Sequence, residues 1–125
     1  MKNALAVGLG GFLGCIARYL TSVLVIRLFD APFFPYATLI VNVVGCFLIG
    51  VLGGLAENTQ VISPEMQLFL IVGVLGGFTT YSAFGYQTLR LAHEGQIFSA
   101  ILNVAAHIVL GLGAVWLGAL IVRNV

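Results

Sequence analysis

Residues Gly73 to Phe84 hold the densest chemistry in this chain. Gly73, Gly76 and Gly77 lead into Phe78, Thr79, Thr80, Tyr81, Ser82, Ala83 and Phe84, all inside a long apolar stretch. Glycine weakens a helix interior by roughly 1 kcal/mol relative to alanine, and Thr and Ser bond their own backbone, so a helix passing through here can unwind locally. Unwound backbone frees carbonyl oxygens, which are good ligands for a small hard cation. In lipid such backbone survives only where protein or water covers it. The alternative is an unbroken glycine-rich helix whose hydroxyls bond back to the preceding turn.

The other polar groups that stand out within apolar runs are Arg18, Thr38, Asn42, Gln87, Asn103 and His107. No carboxylate is among them, which argues against a proton-coupled pump built on a buried acid and against a cation pore lined by acidic rings. With no carboxylate pair, no recognisable metal-ligand spacing and no phosphate-cradling loop, catalysis is not expected. Asn42 needs hydrogen-bond partners wherever it is buried. His107 lies four residues after Asn103, on the same helical face. A neutral imidazole bonded to a neighbouring helix is the reading that lipid favours, whereas a protonated one would attract anions. Asn103, Met66 and Trp116 read as packing or interface anchors.

The elements that must carry these residues follow from composition. Hydrophobic residues make up 61% of the 125, charged residues 7%, and the mean hydropathy is +1.14, far outside the range of a water-soluble domain. Five basic and four acidic residues cannot coat a soluble surface, and a net charge of +1 gives no basic face for nucleic acid. About 20 apolar residues cross a hydrocarbon layer, and by that measure the chain holds four spans, at about 4–26, 36–56, 66–89 and 97–122. They form a single all-α transmembrane domain over 1–125. Short polar punctuation separates them, with Arg27, Asp30 and two prolines in the first loop, Asn58, Ser63 and Pro64 in the second, and His93, Glu94 and Gly95 in the third. The first span runs past signal-peptide length with no A-x-A cleavage site following the apolar run, so no cleaved signal is expected. Cys15 and Cys46 lie in apolar runs and read as free thiols.

Glycine pairs four apart, at Gly10 and Gly14, Gly50 and Gly54, and Gly73 and Gly77, have the spacing that lets helix backbones touch in lipid. The basic residues near span ends give almost no orientation. Lys2 and Arg123 fall on one side and Arg27 and Arg90 on the other, with Arg18 inside the first span. A chain with so little bias is open to insertion both ways up, and two inverted copies would meet on a two-fold axis in the membrane plane. The alternative is an orientation set by the first span or by the insertion machinery.

Three motifs then agree in order with one family. Gly10 to Gly14 followed by Arg18 and Tyr19, Thr38 to Gly45, and Gly76 to Phe84 give the chain a resemblance, over nearly its whole length, to the small Fluc/CrcB fluoride channels. The resemblance implies a channel that exports fluoride passively across the cell (inner) membrane. It further implies an antiparallel, dual-topology homodimer with two fluoride pathways and a third helix broken at mid-membrane. A structural sodium ion would sit at the dimer centre on the carbonyls of Gly76 and Thr79 from both subunits. Asn42 would offer amide hydrogens to the anion, Tyr81 and Phe84 aromatic rings, and Ser82 and Thr38 hydroxyl donors, while Arg18 would attract anions near a pore mouth. Fluoride holds its water tightly, so a pore must replace that water with donors, among them the electropositive edges of aromatic rings.

The chain departs from the family pattern at four places. The family usually has Phe where Tyr81 stands, Thr where Ala83 stands and often Glu where Gln87 stands, and His107 replaces a hydroxyl residue of its polar track. A dual-topology multidrug exporter has similar length and charge balance, but it needs a membrane-embedded Glu in the first span, where this chain offers Gly14 and Cys15. A structural assembly protein would explain the apolar spans, though not paired glycines followed by Thr79, Thr80, Tyr81 and Ser82.

Overall fold

Every regular element among the described residues is helical. The computed structural model describes residues 1–29, 34–58 and 61–123, so Asp30 and Pro32 of the first loop lie outside the described residues. Helix α1 spans Lys2–Leu28 and α2 spans Tyr36–Asn58. The third span is composite. It begins as α3, Pro64–Gln67, continues as a π-helical run Leu68–Leu75, returns to α-helix in α4, Gly76–Phe78, and resumes as α5, Tyr81–His93. Helix α6 is Ile97–Val122. Four stretches, Lys2–Leu28, Tyr36–Glu57, Pro64–His93 and Ile97–Val122, are long and apolar enough to cross a membrane.

The third span is longer at both ends than its apolar run, because capping chemistry extends it. At its start Ser63 accepts a hydrogen bond from the Met66 N–H at 3.2 Å, and Pro64 occupies the first turn, where its missing N–H goes unnoticed. At its end Gly95 adopts φ +77°, the left-handed conformation that closes a helix. Its N–H donates to the Ala92 carbonyl at 3.1 Å, and the Gln96 N–H donates to Leu91 at 2.9 Å.

Backbone-to-backbone seams hold the spans together. Helix α1 packs along the π-helical run and α4, while α2 packs along α6. A methyl group added to Gly73 would lie 2.9 Å from the Gly10 Cα, one on Gly14 would meet the Phe78 nitrogen at 2.8 Å, and one on Gly77 would meet the Gly11 Cα at 3.0 Å. Gly118 of α6 is confined in the same way, with the Val51 nitrogen 2.9 Å from where its Cβ would be. Between helices in lipid there is no hydrophobic drive to associate, and close approach of this kind supplies van der Waals contact instead. Large apolar side chains turn outward, among them Phe12 at 65% and Leu112 at 68% exposure, whereas the buried core is small, built on Val25, Leu39, Val41, Leu75, Phe78 and Leu91.

The third span divides its allegiance at residues 79 and 80. Its first part lies on α1, and α5 lies on α6. Gly76 and Gly77 remain helical, and the extended residues are Thr79 (φ −82°, ψ 162°) and Thr80 (φ −154°, ψ 115°). The glycines serve close approach to α1, and the interruption falls just after them.

A seam of this kind predicts a sharp contrast between glycines. Gly14→Ala should destabilise the folded protein by about 1–3 kcal/mol, the usual range for forcing extra atoms into a packed contact. Gly8→Ala, whose added methyl would have nothing within 4 Å among the described residues, should stay within about 0.5 kcal/mol of the parent. Reversible unfolding in mixed micelles measures both.

Candidate functional site

The extended pair at Thr79 and Thr80 is held by a side chain from another helix. Asn42, on α2, accepts from the Thr80 N–H through Oδ1 at 2.9 Å and donates through Nδ2 to the Thr80 carbonyl at 3.1 Å. An amide that pairs with both groups of one peptide residue can stand only one way round, so its orientation is set by its partners. One Nδ2 hydrogen is spent on the Thr80 carbonyl and the second remains to be offered elsewhere.

The same pairing releases backbone oxygens. In a continuous helix the Thr80 N–H would donate to the Gly76 carbonyl and the Ala83 N–H to that of Thr79. Here the Thr80 N–H has gone to Asn42, and the Ala83 N–H donates to the Thr80 hydroxyl at 3.3 Å, so Thr80 is the N-cap of α5. The Thr79 carbonyl accepts Arg18 Nη1 from α1 at 3.4 Å, a long contact that leaves it a second lone pair. Arg18 Nη2 also lies 3.6 Å from Cys15 Sγ. Thr79 bonds its own hydroxyl back to the Leu75 carbonyl at 2.9 Å, the behaviour expected of an unbroken helix, up to the residue where the helix stops.

A cavity of about 440 Å³ adjoins the interruption, lined by α2, both parts of the third span, and α6. Asn42, Gly76, Thr79, Thr80, Tyr81, Phe84 and His107 all reach it, among apolar walls that include Ile49, Ile71, Leu75 and Ile108. Its aromatic side is a run of three rings, with Tyr81 and Phe84 centroids 5.6 Å apart and Phe84 and His107 centroids 4.4 Å apart, both pairs tilted. Of the residues expected along a fluoride pathway, Thr38, Ser82 and Arg18 do not line this cavity. Thr38 is buried beside a separate one with Gln87 and Arg90, and exposed Ser82 shares a 3.3 Å hydrogen bond with Thr80.

Two contributors were not read from the sequence as more than packing or background. Asn103 is fully buried and donates to Thr88 Oγ1 at 2.8 Å, and Thr88 in turn donates to the Phe84 carbonyl at 2.8 Å. The spacing held the signal, since Thr88 follows Phe84 by four and His107 follows Asn103 by four, each pair one helical turn apart. Among the described residues no three His, Cys, Asp or Glu side chains gather.

Four lipid-length helices, glycine seams and a cavity beside a side-chain-clamped interruption define a small multi-pass membrane protein. Residues 5–119 match the family described as CrcB-like protein, Camphor Resistance (CrcB). Proteins named fluoride-specific ion channel FluC are similar along nearly the full length. The one from Flavobacterium psychrophilum is 42% identical over 124 residues, 99% of each chain, and the one from Geobacter sulfurreducens is 44% identical over 124 residues, again 99% of each. A third, from Chlorobium luteolum, is 45% identical over 116 residues, covering 93% of this chain and 88% of its own. The chain belongs to the CrcB-like family.

The clamp carries a stability prediction. Asn42→Leu keeps the side chain's bulk but leaves the Thr80 N–H and carbonyl without their partner, which should cost roughly 1–3 kcal/mol for each group left unsatisfied. Unfolding in mixed micelles should register that loss, and an unchanged midpoint would show that the pairing does not hold the interruption.

Proposed function

We propose that this chain forms a fluoride-selective channel that lets fluoride leave the cell passively across the inner membrane. The observation that carries the reading is the Asn42 amide, oriented by Thr80 and set beside the rings of Tyr81 and Phe84 in a largely apolar cavity, in a chain whose relatives are named fluoride-specific ion channels. Few donors in dry walls suit a small anion that binds donors strongly. A larger, more weakly hydrogen-bonding anion gains less from such a site relative to its loss of water. Tyr81 adds a hydroxyl that donates to fluoride directly.

The functional unit in this proposal is an antiparallel, dual-topology homodimer with two pathways and the third helix interrupted at mid-membrane depth. The even division of basic residues supports it, as does Tyr81, which on one chain is 83% exposed beside the cavity, so that an inverted second copy would cover it. A sodium ion at the dimer centre would be held by the carbonyls of Gly76 and Thr79 from each copy. Those two oxygens lose their helical donors to Asn42 and to the Thr80 cap, which suits them to a hard cation. When bound, the ion supplies fixed positive charge and ties the two interruptions together. Arg18, on the Thr79 carbonyl, adds positive charge to the same region.

Vesicles loaded with fluoride or chloride test the channel. Purified protein should release fluoride rapidly and chloride hardly at all, and Asn42→Asp, which turns an anion donor into an anion repeller, should slow fluoride release by about tenfold or more. Equal, slow release of both ions, unchanged by Asn42→Asp, would reject the channel. Sodium has its own readout. Replacing it with an organic cation should lower thermal stability, by about 2.7 kcal/mol if sodium had been present at a hundred times its dissociation constant. Indifference to the exchange would remove the ion from the proposal.

A further inference from the structure

The seam between α5 and α6 carries a polar chain whose hydrogens can be assigned from its partners. Thr88 Oγ1 lies 2.8 Å from the Phe84 carbonyl, which can only accept, so the hydroxyl donates there and is itself left to accept. Asn103 Nδ2 donates to it at 2.8 Å. That orients the Asn103 amide, whose Oδ1 is buried with no partner among the described residues, on a residue with 0% exposure. His107 Nδ1 stands 2.9 Å from the Asn103 carbonyl, again a pure acceptor, so Nδ1 carries the hydrogen. In the neutral ring Nε2 then carries a lone pair, and it too is buried without a partner among the described residues.

The ring lines the same cavity as Asn42 and packs against Phe84. An anion moving from the Asn42 amide along the aromatic side therefore reaches the His107 ring, whose covered Nε2 carries a lone pair where a pathway for fluoride needs a donor, so the ring must turn or Phe84 shift for the two to meet. One proton reverses this, because the imidazolium donates from both nitrogens. We propose that His107 decides whether fluoride passes this end of the cavity: neutral, its Nε2 excludes the anion, and protonated, its Nε2–H receives it, so that conduction rises on acidification.

This rests on the fluoride-channel reading and adds to it a residue through which protons govern the flow. Helix α6 packs against α2 and α5. The titratable groups facing the cavity from these elements are Cys46 on α2 and Tyr81 on α5, and from α1 Arg18 reaches the Thr79 carbonyl at its edge. Arg90, His93 and Glu94 lie at the far end of α5, Arg90 and Glu94 paired at 3.5 Å, and Glu57 and Arg123 line a different cavity. No carboxylate faces this cavity among the described residues.

Fluoride efflux from reconstituted vesicles, at equal pH on both sides from 5.5 to 8 and corrected for protein-free vesicles, tests the proposal. Release should rise toward tenfold per unit of acidification while the imidazole is mainly neutral and level off once it is protonated. His107→Gln and His107→Ser provide donors that do not titrate, and both should give a flat profile. Profiles that superimpose on the parent's would overturn the role of His107 alone, whereas no fluoride release at any pH from any of the three would overturn the channel reading as well. The parent protein supplies a second measurement that needs no variant. In ¹⁵N-histidine spectra, fluoride should move the His107 titration to higher pH, because a ligand that prefers the protonated ring must by linkage raise its proton affinity. A His107 titration that fluoride leaves in place would refute the proposal.

Discussion

The arrangement depends on the pairing of one side-chain amide with one peptide unit. A helix stopped inside a membrane span leaves N–H and C=O groups that lipid cannot satisfy, and each orphan costs several kcal/mol in that medium. Asn42 answers both groups of Thr80 at once, at 2.9 and 3.1 Å, acting as a short piece of neighbouring backbone. The Thr80 hydroxyl then caps α5, so the second half of the span starts as a properly terminated helix. Because these donors are drawn away from their helical acceptors, the carbonyls of Gly76 and Thr79 are released in the same step that stabilises the interruption.

The glycines make that interruption useful by deciding where each half of the span lies. Gly73 and Gly77 bring the first half against Gly10 and Gly11 of α1, with backbone meeting backbone, and α5 is left to pack on α6. A span split between two partners opens a cavity where they diverge, and the cavity walls are the faces of α2 and α6 that carry Asn42 and His107. The π-helical run Leu68–Leu75 precedes the split, and π-type turns are frequent at functional sites. Arg18 joins α1 to the interruption through the Thr79 carbonyl, so three spans converge on two residues.

Polar groups at the cavity and in the adjoining seam between α5 and α6 differ in how firmly their hydrogens are committed. Asn42, Thr88, Asn103 and the Nδ1 side of His107 each face a partner that admits one assignment only. The Nε2 side of His107 faces none among the described residues, and it is the only one of these groups whose character a change of pH can reverse. A neutral hydroxyl at that position would offer donor and acceptor together, whereas the imidazole offers one or the other.

Much of this was legible in the sequence because lipid imposes simple rules. Apolar run length set four spans, the absence of intramembrane carboxylates narrowed the chemistry, and paired glycines ahead of Thr79 and Thr80 marked where a helix would be weak. The ordered motifs at Gly10 to Tyr19, Thr38 to Gly45 and Gly76 to Phe84 pointed to the family that the chain belongs to. Only the tertiary structure decided which residues extend, since Gly76 and Gly77 stay helical against α1 while Thr79 and Thr80 open toward Asn42, 38 positions away from Thr80 in the chain. It also decided that Thr38 lies beside another cavity and that Asn103 orients His107. Composition and periodicity report how a segment meets its solvent, whereas hydrogen-bond pairing between distant helices depends on the angle at which they cross, which no local pattern encodes.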